Sequence, residues 1–294
     1  MEIQGTTRVL GVIGNPVEHT LSPLIHNTLS EELGKDLIYV PLRVDQDVET
    51  AVRGAYALNF LGMNVTVPHK QAVIPALSSI DPLAQRIGAV NTLVREEKGF
   101  RGYNTDILGL KRALAKRGAA LQGRGAALIG CGGAARAVAF LCADEQVSEL
   151  TILNRTIEKA EALRGEVLKY YPDLKIGVLA LSEAGNLPDG TDLAIQCTSA
   201  GMEKHLPDGS IVPGVSPVTA PAFYEKIRFA YDLVYRPSRT EFMQRVQEAG
   251  GEAYCGLDML LYQGICAYEL WNHLTVPEEI SEKVLKKLEK AVQA

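Results

Sequence analysis

The chain has 294 residues, of which 47% are apolar and 22% charged, and it carries a net charge of -5. That length and balance allow two folded domains with sizeable cores and leave disorder unsupported. The acidic balance speaks against a duplex nucleic-acid binder, which carries a basic excess, but leaves room for a local basic pocket around a small anionic ligand.

Five cysteines, Cys131, Cys142, Cys197, Cys255 and Cys266, make an odd number with no CxxC spacing. A disulfide framework or a zinc site does not follow from them; reduced thiols in a reducing compartment do. Residues 1–8 lack a basic stretch leading into an apolar one, and no run approaches the ~18 apolar residues of a membrane span. The expectation is a cytoplasmic protein with no membrane partner, no nucleic-acid partner and no metal.

In chain order, residues 9–14 (VLGVIG) read as a buried strand ending in a loop at Asn15-Pro16. Ser22-Pro23 reads as a helix start, with Ser22 as N-cap and Pro23 at the first helical position. Residues 37–44 (LIYVPLRV) and part of 59–68 (NFLGMNVTVP) read as strands, and Pro68 leads through HKQAVIPAL into a helix. Residues 89–94 and 100–105 read as paired strands around a Glu-Glu-Lys-Gly turn. Such alternation predicts an α/β fold with a mostly parallel sheet.

After Asp106, ILGLKRALAKRG reads as a helix with a glycine stop. Then come a strand, a glycine turn and a helix in GRGAALIGCGGAARAVAFLCAD, and a second strand at residues 149–155. IEKAEALRGEVLKYY reads as a helix, residues 192–199 and 228–235 as short strands, and EFMQRVQEAGG and the stretch from Leu257 onward as helices. The glycine turn lies mid-chain, which predicts a nucleotide domain inserted into another one.

Gly130, Cys131, Gly132, Gly133 and Ala134 follow an apolar strand and open a helix. Glycines there permit a tight turn and close backbone approach to a pyrophosphate, and the helix N-terminus offers free N–H groups. A glycine turn alone serves many strands, so weight falls on the next strand tip, about 24 residues on. Binders of NAD place an acid at that tip for the ribose 2′-hydroxyl; an arginine suits a 2′-phosphate. This chain has Asn154, Arg155 and Thr156 there, with Lys159 one turn later. The pattern selects NADP.

Polar residues also cluster at strand ends: His19 to Pro23, Asn64 to Lys70, Asn91-Thr92 and Asn104 to Asp106. Singly, each reads as a cap, a turn residue or a solvated lysine. Together, hydroxyls, amides, one lysine and one aspartate suit a small, polyhydroxylated, anionic ligand.

HTLSP, NVTVPHK, AVNT, YNTD, GCGGAARA, NRT and GLDMLLYQG occur in that order and span nearly the whole chain. In this the chain resembles the shikimate dehydrogenase family. The resemblance implies an α/β substrate-binding domain over residues 1–106 and 253–294, a Rossmann-like NADP-binding domain over 107–252, and an active site in the cleft between. It implies reversible NADPH-dependent reduction of 3-dehydroshikimate to shikimate, in the pathway to chorismate and the aromatic amino acids, by a monomer or homodimer.

By the same resemblance Lys70 and Asp106 form the catalytic pair. Asn91 binds substrate beside them. Thr20 and Ser22 hold its carboxylate, with Thr66 and Tyr235 close by, and Gln263 reaches its ring. The backbone around Leu233 and Gly256 flanks the nicotinamide. Three positions depart from the family pattern: Thr20 for a common Ser, Ile107 for a common Gly, and Gln196 in place of the Asn of an Asn-x-Thr. Two rival readings stay open: a quinate/shikimate dehydrogenase using NAD or NADP, and a non-catalytic NADP-binding sensor.

Overall fold

The computed structural model describes residues 2–205 and 210–293. The chain divides into two compact units, one of residues up to Leu110 with Leu260–Ala291, the other built from Lys111–Met259.

The first unit opens with β1 (Arg8–Gly14), α1 (Ser22–Glu32), β2 (Leu37–Arg43), α2 (Val48–Ala57) and β3 (Gly62–Val65). It continues through α3 (His69–Ala72), β4 (Ser79–Ile80), α4 (Pro82–Ile87), β5 (Thr92–Glu96), β6 (Gly99–Tyr103) and α5 (Thr105–Lys116), which runs across the boundary. The six strands form one sheet in the order β2-β1-β3-β5-β6-β4. β1 pairs in parallel with β2 and β3, and β4 with β6; β3–β5 and β5–β6 are antiparallel.

One side of this sheet packs Ile13, Met63, Val65, Leu93 and Phe100 against Val48 and Val52 of α2. The C-terminal helices α10 (Leu257–Asn272) and α11 (Glu278–Gln293) also contribute to this unit. Trp271 of α10 donates its indole N–H to the Leu93 carbonyl at 2.8 Å. Gly62 makes room for it, since a Cβ there would sit 2.1 Å from the indole nitrogen. α11 buries Ser281, Val284 and Leu288 along one stripe, the 3.6-residue period of a helix with one wet face.

The second unit contains β7 (Gly125–Ile129), α6 (Gly133–Asp144), β8 (Glu149–Asn154), α7 (Ile157–Leu168), β9 (Lys175–Ala180) and β10 (Thr191–Gln196). A short antiparallel pair, β11 (Lys204–His205) with β12 (Ile211–Val212), precedes α8 (Pro221–Lys226), β13 (Phe229–Asp232), α9 (Glu241–Glu248) and β14 (Glu252–Cys255). Its main sheet is β14-β13-β10-β7-β8-β9, parallel throughout. Parallel strands covered on both faces read as unbroken apolar runs, and all five residues of β7 are buried. No helix among the described residues is long and apolar enough to cross a membrane.

The expectation for Ser22 needs correction. The helix starts at Ser22 itself, Leu21 occupies the cap position, and no side chain caps the helix. The capping role does fall to Asn104 at α5, whose Oδ1 accepts from the Ile107 N–H at 3.4 Å while its Nδ2 donates to Ala89 O at 3.0 Å. Gly118, at φ +74°, follows α5 in the left-handed conformation that a glycine stop supplies.

Candidate active site and cofactor cradle

In the first unit, β3 runs into α3 and brings Lys70 to the end of the sheet; β6 runs into α5 and brings Asp106 to the first helical turn. Lys70 Nζ donates to Asp106 Oδ2 at 2.6 Å, with both side chains partly shielded from water. Partial burial strengthens such a pair beyond its value on an open surface. The Lys70 backbone is tied down as well, its carbonyl accepting from Val90 N–H at 2.8 Å.

Asn91, 2% exposed, stands beside this pair. Its Oδ1 accepts from the Thr105 N–H at 2.7 Å and from the Thr92 hydroxyl at 3.1 Å. Asn64 Nδ2 donates to Asn91 O at 3.1 Å and to Thr92 Oγ1 at 3.0 Å, and the Tyr39 hydroxyl donates to Asn64 Oδ1 at 2.7 Å. Burial pushes the Tyr39 phenol well above its ordinary pKa, partly offset by Ser22.

Thr20 and Ser22 come together. The Thr20 hydroxyl donates to Ser22 Oγ at 3.1 Å and accepts from the Ser22 N–H at 3.3 Å. Freed from capping, these two hydroxyls form a compact polar pair suited to a carboxylate. Thr66 caps the end of β3, and its methyl fills the space beside Gly14, where a Cβ would lie 2.3 Å away. Gln263 donates Nε2 to Leu260 O at 2.8 Å within its own helix. At Gly109 α5 touches α10 so closely that a Cβ would meet Gln263 N at 2.4 Å. Ile107, 3% exposed, is a core residue, so its departure from the family glycine adds apolar packing and no polar group.

In the second unit, Gly130 has φ +110° and its N–H donates to Leu153 O at 2.8 Å, tying the start of the turn from β7 into α6 to the neighbouring strand β8. Gly132, Gly133 and Ala134 are exposed where α6 begins, and a Cβ on either glycine would meet nothing within 4 Å. The open turn and the helix N-terminus fit a pyrophosphate. Burial pushes the Cys131 thiol up to about 11, against the pull of Lys159, which favours the thiol over the thiolate at neutral pH.

β8 ends at Asn154, whose Nδ2 donates to Thr156 O at 2.8 Å and shapes the tip. Arg155 and Lys159 are exposed, and neither takes part in an ion pair among the described residues. Asn154 and Arg155 line one wall of a cavity of about 630 Å³ closed by Thr198 to Met202 and Val212 to Val215. That lining, the Arg155 cation with the Asn154 amide and the Thr198 and Ser199 hydroxyls and no carboxylate, fits a phosphorylated ribose.

Gln196 brackets this loop. It is wholly buried, and its Nε2 donates to Ala200 O at 2.9 Å, Thr198 O at 3.2 Å and Asp232 Oδ1 at 3.2 Å. The departure at this position is therefore structurally accommodated. Leu233 and Gly256 touch, a Cβ on Gly256 falling 2.2 Å from Leu233 O. Tyr235 follows β13 half-buried, its phenol pKa raised by burial. Among the described residues no three His, Cys, Asp or Glu side chains group as metal ligands.

Three stretches of the chain match models of known families. Residues 12–93 match the shikimate dehydrogenase substrate binding domain, 113–206 the shikimate / quinate 5-dehydrogenase family, and 256–286 the shikimate 5′-dehydrogenase C-terminal domain. The chain is 38% identical to the shikimate dehydrogenase (NADP(+)) of Moorella thermoacetica, over 97% of this chain and 95% of that one.

The chain belongs to the shikimate dehydrogenase family.

Among solved structures it resembles the shikimate 5-dehydrogenase of Thermus thermophilus in complex with NADP(H) and shikimate. That match has 32% identity and a TM-score of 0.80, and covers 96% of this chain and 99% of that one. It also resembles the Listeria monocytogenes enzyme in complex with shikimate and NAD, with 29% identity, a TM-score of 0.87, and coverage of 97% and 98%.

Proposed function

We propose that this chain is an NADP-dependent shikimate dehydrogenase, reducing 3-dehydroshikimate reversibly to shikimate. The observation that carries the reading is the Lys70–Asp106 pair at 2.6 Å, in a chain that also holds an open glycine turn and an acid-free strand tip. A non-catalytic NADP sensor would keep the turn and the tip but has no use for the pair.

In this reading the first unit is the substrate-binding domain and the second the NADP-binding domain. Thr20 and Ser22 hold the substrate carboxylate. Asn91 offers its Nδ2, which has no hydrogen bond to the described residues, to a ring hydroxyl. Thr66, Tyr235 and Gln263 complete the substrate contacts, and Leu233 and Gly256 flank the nicotinamide. Gly130, Cys131, Gly132, Gly133 and Ala134 would receive the pyrophosphate, and Asn154, Arg155, Thr156 and Lys159 the 2′-phosphate.

NADPH, when bound, supplies the hydride. As the C3 ketone oxygen gains negative charge, the Lys70 ammonium donates a proton to it, leaving an alcohol and a neutral amine. Asp106 holds the ammonium in place and accepts from a substrate hydroxyl. In oxidation the amine takes the proton back.

The test is a steady-state comparison of shikimate and quinate, each with NADP and NAD. The reading requires shikimate with NADP to give the highest kcat/KM. A quinate/shikimate enzyme using NAD is the second reading, favoured by the NAD-bound Listeria neighbour; comparable efficiency with quinate or NAD would establish it instead.

A further inference from the structure

One buried residue of the first unit is marked by no motif. Tyr39 sits in the middle of β2, in the run LIYVPLR, and is 2% exposed. Its hydroxyl donates to Asn64 Oδ1 at 2.7 Å. The Asn91 carbonyl can only accept, so it draws Asn64 Nδ2 and turns Oδ1 toward the Tyr39 hydroxyl, which holds it there. Nδ2 then faces Asn91 O and the Thr92 hydroxyl. The Thr92 hydroxyl meets Asn91 Oδ1 at 3.1 Å and Thr105 Oγ1 at 2.9 Å, and Asn91 Oδ1 takes the Thr105 N–H. Thr105 immediately precedes Asp106. One buried chain of hydrogen bonds runs from the Tyr39 hydroxyl to the backbone that carries the aspartate.

The ring end of Tyr39 is fixed independently. His26 stacks on it with centroids 4.2 Å apart and planes 20° apart, and Trp271 tilts against both rings. Burial pushes His26 down to about 3, so it is a neutral ring in this stack. Trp271 is held by its bond to Leu93 O. The aromatic cluster places the hydroxyl, and the hydroxyl anchors Asn64.

We propose that Tyr39 is a positioning residue for the substrate site: its hydroxyl, acting through Asn64, sets the orientation of Asn91 and the start of α5 before substrate arrives. This rests on the reading of Asn91 and Asp106 as substrate contacts. Removing the hydroxyl leaves Asn64 Oδ1 as a buried acceptor with no partner, and the side chain loses the contact that holds it in place. A displaced Asn64 loosens its bonds to Asn91 O and Thr92 Oγ1, and with them the Thr92 hydroxyl that bonds Asn91 Oδ1.

The experiment is Tyr39→Phe, which keeps the ring and its stacking. We expect the KM for shikimate to rise about five- to tenfold, the size of one net hydrogen bond. The KM for NADP should stay within about twofold of wild type, and thermal melting is recorded alongside. A residue that only supports the fold would lower the melting temperature and the active fraction while leaving the shikimate KM unchanged; that result overturns the proposal. If Tyr39→Phe does not fold, Thr92→Val breaks the same chain one link later and carries the same expectation. A wild type that does not turn over shikimate with NADP overturns the functional reading itself, and the proposal with it. An active wild type with an unmoved shikimate KM in both variants overturns the proposal alone.

Discussion

The two units treat their polar groups in opposite ways. Around Lys70 and Asp106 the polar side chains bond one another: lysine to aspartate, Asn91 Oδ1 to Thr105 and Thr92, Asn64 to Tyr39. Around the glycine turn and the tip of β8 the groups stand open. Gly132, Gly133, Arg155 and Lys159 are exposed, and neither cation is ion-paired among the described residues. Chemistry that moves a proton needs groups held in place before charge develops, since reorganising them during the reaction would add to the barrier. Binding a highly charged cofactor needs donors that are not already satisfied, because breaking an existing ion pair would offset the gain. One region is preorganised, the other is left receptive.

Lys70→Ala should lower kcat by about 10²–10⁴-fold, the usual range for a general acid–base group. Shikimate affinity should change far less, because Thr20 and Ser22 remain. A mutant that keeps most of its turnover would remove Lys70 from the mechanism.

The receptive region is tested at Arg155. A charge-assisted bond is worth about 1.5–3 kcal/mol, so wild type should prefer NADP over NAD by at least about tenfold in kcat/KM. Arg155→Ala should bring that ratio near parity by weakening NADP and leaving NAD unchanged. Arg155 is exposed, so rising salt should shrink the preference in wild type but not in the mutant. Equal use of both cofactors by the wild type would show the tip to be indifferent to the phosphate.

A smaller effect is expected at Ser22→Ala. The KM for shikimate should rise about three- to tenfold, more than kcat falls, because the hydroxyl serves ground and transition states alike. Ser22 caps no helix, so thermal stability should hold. A drop in stability with an unmoved KM would return Ser22 to a purely structural role.

The last effect leaves catalysis aside and bears on the framework beneath the cofactor loop. Asp232 is fully buried, and burial raises its carboxyl from 3.8 to about 6, partly offset by bonds from Thr240, the Val234 N–H and Gln196. A carboxyl raised on folding favours the protonated folded state. Its contribution is therefore complete below about pH 4 and is lost as pH rises through about 6. The melting temperature of Asp232→Asn, relative to wild type, should climb by a few degrees between pH 4 and 7. A difference independent of pH would show that Asp232 does not titrate in this window.

Much of this was legible in the residues, though unevenly. The turn from Gly130 to Ala134 lies between a buried strand and a helix, as its glycines and flanking apolar runs imply, because all of its signals are local. The run Lys175–Ala180 gives little strand signal, with Gly177 at its centre; its pairing with β8 makes it one. Ser22-Pro23 reads as a cap from composition, but the helix begins one residue earlier than that reading and the serine hydroxyl goes to Thr20. Tyr39 looks like any aromatic in a β-strand, because nothing in the sequence distinguishes a buried phenol with a partner from one that only fills space.

The sequence by itself determined which chemical groups this protein has and the local elements that present them. Apolar periodicity, glycine conformational freedom and the lack of an acid after Asn154 act over a few residues, where neighbouring side chains and backbone preferences are enough. The tertiary structure decided which groups meet. Lys70 and Asp106 are 36 residues apart and pair at 2.6 Å, and Trp271 reaches Leu93 from 178 residues away. Such contacts depend on strand order and sheet register, which are fixed when whole faces are buried together, and no short window of sequence carries that information.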